Sequence, residues 1–424
     1  MKRHFITILC LLCLAMGAFA AERSCPGDAD WFPICAWGIN KGNVPGPITQ
    51  EIFDTMAECG ITIAGFANSR EELDLIHQAG MVAWILDTDF HSTFWKGYDG
   101  EEVDWWDAAQ KVVAKYADHP ALYGYYIVDE PKLDHFHIVA DASTALKLAD
   151  PGHERYINLN PNYAPPGYLG NHGYANHLDT FINMVRPNWF GYDFYGLMEE
   201  GSSEPERMDG WWKNLADARE ASFRHGIPFQ LCCLTVGHLP YRIPSEDDLF
   251  FEVFSGLVYG AKGLQFFTYF TPDLGNYRCA PIDLWGHRSP TWYALRNVLC
   301  AVHALAPVLN QLDSIAVYHF QPEERLTRED APGDTSLITG IGNPGASLVV
   351  GEFRHRQTGE TFVMILNKNL KNSIGLSALK WRNPPKGIQI YSQQRQGKVS
   401  TYGGWHGEGA WLAPGHAMLL KVTW

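Results

Sequence analysis

The chain has 424 residues, with 33 basic and 47 acidic side chains and a formal charge of −14. That length accommodates one large domain and a smaller one. The acidic balance argues against nucleic acid or an anionic lipid surface as a partner.

Residues 1–20 read as a secretory signal peptide: basic Met1-Lys-Arg-His4, an apolar run from Phe5 to Ala18, and an A-x-A site at Ala18-Phe-Ala20. The run is too short to remain in a bilayer, and Leu12 before Cys13 argues against a lipid anchor there. The mature protein is therefore expected outside the cytoplasm, periplasmic or secreted, with no membrane anchor. Loss of Lys2 and Arg3 with this segment leaves 31 basic against 47 acidic residues, a charge of −16. Seven of the nine cysteines remain. An oxidising compartment permits disulfides, and Cys25–Cys35 is the expected bridge because it would pin the N-terminal segment. The mature chain has neither C-x-x-C nor H-E-x-x-H spacing, so no metal and no cofactor are expected.

Between about residues 34 and 270 eight short apolar segments recur, beginning at Ile34, Ile61, Met81, Leu122, Tyr156, Trp189, Pro228 and Gly263. Stretches with apolar residues three and four apart lie between them, such as Ile48 to Cys59, Ser69 to Ala79 and Val103 to Ala117. Ser245-Glu-Asp-Asp248 has the form of a capping box opening another helix. Eight alternations over this span predict a (β/α)8 TIM barrel covering residues 25–309. From 310 to 424 short strands, starting near Ser314, Ser347, Thr361, Gly387 and Ala417, are separated by turns rich in Gly, Pro and Asn. This predicts an all-β sandwich domain.

The most informative segment is the fourth strand, Leu122-Tyr-Gly-Tyr-Tyr-Ile-Val-Asp129, followed by Glu130 and Pro131. An apolar strand that ends on two adjacent carboxylates puts them on the rim where barrels bind ligands, and proline forbids its continuation. The other strand ends supply Asn68, Asp87 and Asp89, Asn158 and Asn160, Asp193 and Tyr195, and Gln265 and Tyr269, with Trp37, Trp84 and Trp285 as flat apolar faces. Carboxylates, amides and aromatic platforms around one mouth suit an oligo- or polysaccharide.

The segment His119-Pro-Ala-Leu-Tyr-Gly-Tyr-Tyr-Ile-Val-Asp-Glu-Pro131 resembles the fourth-strand region of clan A-type (β/α)8 glycoside hydrolases. Tyr241-Arg-Ile-Pro-Ser245 with Tyr259-Gly-Ala-Lys-Gly-Leu-Gln-Phe-Phe-Thr-Tyr269 is similar to strands 7 and 8 of secreted bacterial relatives, and Leu412-Ala-Pro-Gly-His-Ala-Met-Leu-Leu-Lys421 resembles the last strands of their C-terminal β domains. The resemblance implies glycosidic bond cleavage with Glu130 as general acid/base, assisted by Asp129 and Asp193, with Tyr195 in the site. One departure stands out: the family ends strand 7 on a nucleophilic glutamate, whereas Gln230-Leu-Cys-Cys-Leu-Thr-Val-Gly-His238 holds no carboxylate. Three mechanisms stay open. The Asp129-Glu130 pair resembles that of hexosaminidases whose nucleophile is the substrate's own acetamido group. An inverting mechanism would pair Glu130 with Asp193 or Asp89, and a retaining one would take Asp193 or Glu246 as nucleophile. A catalytically silent carbohydrate-binding barrel is the alternative of a different class.

Overall fold

The computed structural model describes residues 25–38, 44–202, 208–320, 331–343, 345–376, 379–393, 397, 399–401 and 411–424. The signal-peptide segment lies outside the described residues. Eight parallel strands close into a barrel in sequential order: β1 (Ile34–Ala36), β2 (Ile63–Ala67), β3 (Val82–Ile85), β4 (Leu122–Asp129), β5 (Glu154–Leu159), β6 (Phe190–Asp193), β7 (Phe229–Leu234) and β8 (Leu264–Phe267). Each overlaps an apolar segment picked out by the sequence pattern, although β5 starts two residues before Tyr156. The helices between them are α1 (Gln50–Cys59), α2 (Arg70–Gln78), α3 (Thr88–Tyr98), α4 (Trp105–Tyr116), α5 (Phe136–Ala149), α6 (Pro166–Leu169), α7 (Tyr174–Val185), α8 (Met208–His225), α9 (Glu246–Val258) and α10 (Pro290–Leu309).

Helix starts follow local chemistry. Ser69 accepts a hydrogen bond from Glu72 N, Asp87 from Phe90 N and Asp104 from Asp107 N, while Ser245 and Asp248 form a reciprocal capping box. The lower barrel interior is filled by Trp31, Cys35, Ile63, Phe66, Trp84, Tyr126, Tyr156 and Trp189, so it is a packed core and not a pore. By length and composition α10 would suffice to cross a membrane, but Trp292, Leu295, Val298, Leu299 and Val302 are packed in the core.

Beyond α10 every element among the described residues is a β-strand. A six-stranded antiparallel sheet has the order β16-β15-β18-β12-β11-β9, and two-stranded sheets pair β10 with β14 and β13 with β17. These strands are β9 (Leu312–Phe320), β10 (Ile338–Ile341), β11 (Leu348–His355), β12 (Thr361–Asn367), β13 (Ile374–Gly375), β14 (Leu379–Trp381), β15 (Gly387–Tyr391), β16 (Val399–Thr401), β17 (Trp411–Leu412) and β18 (Ala417–Thr423). Both faces of the large sheet are buried, which explains its nearly continuous apolar runs. Val349, Phe353, Phe362, Met364, Leu366 and Leu419 join the barrel core. The alternate residues Leu348, Val350, Val363, Ile365, Leu420 and Val422 form a second core with Ile338, Ile374 and Leu412 from the small sheets. Helix α9, wedged between barrel and sheet, is buried from Asp248 to Val258. Gly351 permits the contact, since a Cβ there would collide with the Val258 carbonyl.

The expected Cys25–Cys35 disulfide does not form. Cys35 is sealed among the aromatic residues of the barrel interior while Cys25 is exposed, and no disulfide joins any two of the seven described cysteines.

Candidate active site

Parallel register brings the polar strand ends together. Asp129 of β4 is level with Asn158 of β5, Asn158 with Gly191 of β6, and Asp193 of β6 with Cys232 of β7. Asn158 is the hub: its Nδ2 donates to Asp129 Oδ1 at 3.1 Å and to Asp193 Oδ1 at 3.0 Å. Glu130, the first residue past β4, has φ +46°, a left-handed conformation that a residue with a Cβ adopts at a cost of about 1–3 kcal/mol. The next residues are clamped to hold it there. Glu130 N donates to Asn158 O at 2.9 Å, Asn160 Nδ2 to Pro131 O at 3.3 Å, and Lys132 N to the Tyr98 hydroxyl at 3.2 Å. The bend swings the Glu130 carboxyl onto Asp193, with which it shares a hydrogen bond.

Three carboxyl groups so close cannot all ionise. Burial is the main force raising the proton affinity of each: Asp129 is pushed up to about 7 by burial and by repulsion from Glu130, Asp193 well above the usual range by burial, Glu130 and Asp129, and Glu130 upward by burial against the opposing hydrogen bond from Asp193. Asp129 remains open to solvent through the cavity but is crowded by protein atoms on its other sides, and that crowding strips its hydration. The cluster therefore retains protons near neutral pH and titrates as a unit. It can donate a proton to a leaving group.

The cluster floors a cavity of about 280 Å³ walled by Trp37, Tyr163, Tyr195, Cys232, His238, Leu239, Tyr241, Phe267 and Tyr277. Tyr195 Oη lies 3.9 Å from Cys232 Sγ, and the Tyr163 and Tyr241 hydroxyls hydrogen-bond each other. The volume is at the low end for ligand sites, fitting about one sugar ring against aromatic walls. A larger hollow of about 760 Å³ lies at the opposite end of the barrel, among strand beginnings such as Met81, Val82, Leu122 and Tyr123. Among the described residues no carboxylate cluster comparable to the one above forms there, and Glu154 is taken up by Asn188. Among the described residues no group of three His, Cys, Asp or Glu side chains has metal-binding geometry.

Of the residues expected at the site from the sequence, Asp129, Glu130, Asp193, Tyr195 and Trp37 line this cavity. The others lie elsewhere, each for a visible reason. Asn68 is drawn to Glu72 and the Phe66 carbonyl at the start of α2. Asp87 caps α3, and it and Asp89 both bind Lys115, at 2.9 and 2.8 Å. Asn160 sits behind the Glu130 turn, bonded to Pro131. Gln265 is buried beneath the cavity, bonded to Tyr156, to Trp37 Nε1 at 3.3 Å and to Gln230 at 3.2 Å. It reaches across to β6, where a Cβ on Gly191 would come within 2.8 Å of its Nε2. Tyr269 turns outward to α10, accepting from Trp292 Nε1 at 2.9 Å. Trp84 is buried in the barrel core and Trp285 is exposed on a loop away from the cavity. Glu246 opens α9 and binds Asn297 at 2.9 Å.

Asn158 was visible in the sequence only as one polar strand end among several. Tyr163, His238, Leu239, Tyr241 and Tyr277 come from loops beyond the strands and carry no periodic signal.

The sequence matches no protein-family model and no curated protein. Solved structures match in fold. One is titled glycoside hydrolase, with 12% identity, a TM-score of 0.55 and coverage of 93% of this chain and 92% of the other. Another is a glycoside hydrolase family 5 protein from Bacteroides vulgatus, with 11% identity, a TM-score of 0.55 and coverage of 93% and 89%. Barrel and β domain together thus have the architecture of these two proteins.

Proposed function

We propose that the protein is an exported glycoside hydrolase that acts on a 2-acetamido sugar, with Glu130 as general acid and the substrate's own acetamido oxygen as nucleophile. One observation carries this reading: the carboxyl groups of the cavity are gathered on one side. Asp129, Glu130 and Asp193 touch one another directly or through Asn158, and no carboxylate among the described residues lines the β7 wall. Two-carboxylate glycosidases hold their pair about 5–5.5 Å apart for retention or about 6.5–9.5 Å apart for inversion. Glu130 and Asp193, in hydrogen-bond contact, leave no room for a sugar carbon and its attacking group between them. The two full-length fold neighbours are titled as glycoside hydrolases, in line with the class of reaction.

In this mechanism the protonated Glu130 gives its proton to the glycosidic oxygen as the acetamido oxygen closes on the anomeric carbon. Asp129 accepts the acetamide N–H and offsets the positive charge of the cyclic intermediate, a role suited to a group that ionises near neutrality. Asp193 exchanges a proton with Glu130, and Tyr195 bounds the acetamido pocket. Glu130, now a base, then deprotonates the water that opens the intermediate, and the anomeric configuration is retained.

The test compares 4-methylumbelliferyl N-acetyl-β-hexosaminides with the matching glycosides bearing a 2-hydroxyl. Hydrolysis of the former alone, with retention, is expected. Equal turnover of both sets, or inversion, would sink the acetamido route. A second reading, a non-catalytic sugar-binding barrel, draws on the bare β7 wall. Binding of these sugars with no turnover, equal for the wild type and Glu130→Gln, would favour it.

A further inference from the structure

Past the end of β7, where no carboxylate stands, the cavity wall is His238. The residue is 4% exposed. Its ring lies nearly parallel to Tyr277, with centroids 4.5 Å apart at 14°, and is boxed in by Tyr241 at 5.2 Å, Phe267 at 5.8 Å and Tyr195 at 6.3 Å.

The loop that carries it is firmly tied. Gly237 and Arg278 exchange backbone hydrogen bonds of 3.0 and 2.9 Å. Asn276 accepts from Leu239 N at 2.7 Å and donates to Leu239 O at 3.1 Å. Arg242 reaches Met198 O at 3.1 Å and grips both Asp248 oxygens. An imidazole held this rigidly presents a fixed hydrogen-bonding direction.

Its polarity follows from its one hydrogen-bond partner among the described residues. Nδ1 lies 3.4 Å from Val236 O, and because a carbonyl only accepts, Nδ1 carries the proton. Nε2 is then a bare lone pair. Burial lowers the proton affinity of the ring, outweighing the Val236 carbonyl that raises it, and the Arg278 charge adds to the lowering, so the neutral form prevails near pH 7. Among the described residues nothing hydrogen-bonds Nε2. If stacking were its whole purpose, phenylalanine would serve in this aromatic box without the cost of burying a ring nitrogen.

We propose that His238 is a substrate-positioning residue: Nε2 accepts a hydrogen bond from a hydroxyl of the sugar held against Glu130, so the site selects sugars whose hydroxyl at that position is free. A site with a fixed acceptor rejects analogues that lack the donor. The inference rests on the cavity being the sugar site and not on hydrolysis itself.

The test uses the full mature chain with 15N-labelled histidine, and N-acetylglucosamine and N-acetylgalactosamine as probes. The His238 Nε2 resonance should have the position of an unprotonated ring nitrogen and should move upfield as one of these sugars saturates the site. His238→Phe, which keeps the stack and removes the acceptor, should weaken binding about 3- to 10-fold, the worth of one hydrogen bond. His238→Gln, whose side-chain oxygen can occupy the Nε2 position, should recover part of the loss. A protonated Nε2, a resonance unmoved at saturation, wild-type affinity in His238→Phe, or no binding of either sugar overturns the proposal. Binding with the expected shift but no turnover would end the hydrolase reading and leave the role of His238 standing.

Discussion

The ends of β4 and β7 stand three strands apart around the same cavity and are built for different work. β4 runs eight residues and then bends through a left-handed Glu130, clamped by Asn158, Asn160 and Tyr98, to bring three carboxyl groups together. β7 is six residues, all buried, and its continuation presents a neutral histidine in a box of aromatic rings. One side stores protons under strain and the other offers shape and a single acceptor. Under the proposed mechanism so lopsided a site delivers the proton and takes its nucleophile from the substrate.

The sharpest way to break this comparison is Glu130→Gln, which keeps the size of the side chain and removes its proton. A loss of about 10³-fold in kcat is expected, with sugar binding retained and a smaller loss on substrates with good leaving groups. Retained activity would move the acid elsewhere. Asp193→Asn comes next: it removes the carboxyl that shares a hydrogen bond with Glu130, and kcat should fall about 10²-fold with the pH profile displaced. An unchanged profile would separate Asp193 from the proton store. Asn160→Ala frees the Pro131 carbonyl without touching the cavity. It should lower kcat about 10-fold while leaving KM within about twofold, because only the aim of Glu130 changes; a rise in KM alone would show that Asn160 acts on substrate instead.

The mildest effect concerns stability against pH. The folded cluster holds protons that free carboxyls release near pH 4. The folded state therefore binds more protons than the unfolded one between about pH 4 and the Asp129 value of about 7. Its stability is fullest below that window and declines as pH rises through it. Asp129→Asn should thus raise Tm at pH 8 and change it little at pH 4. A substitution that lowers Tm equally at both would mean that the carboxylate is not under repulsion.

The β4 end was readable because its signal is local: an apolar run, two acids and a proline in succession. Trp37, Asp193 and Tyr195 were legible for the same reason, each lying at the end of a strand or within two residues past it. The rule that polar residues at strand ends face the mouth failed wherever a nearer or stronger partner existed. Lys115 is 28 residues from Asp87 and 26 from Asp89 in sequence, yet it takes both. Gln265 points inward but lies low enough to be absorbed by Tyr156, Gln230 and Trp37. Tyr269, past the end of β8, turns toward Trp292.

What the sequence by itself determined is the architecture and the carboxyl pair at the end of β4. Alternating apolar strands and amphipathic helices leave a closed barrel as the way to bury every strand, short turn-bounded strands build the β domain after residue 310, and Asp129-Glu130 falls at a strand's C-terminal end. Only the tertiary structure decided which polar side chains meet. The contact of Glu130 with Asp193, the bridging role of Asn158, the separation of Cys25 from Cys35, and the wall of Tyr163, His238, Tyr241 and Tyr277 depend on barrel register and loop packing. Those join residues tens of positions apart, and no local pattern encodes the distance between them.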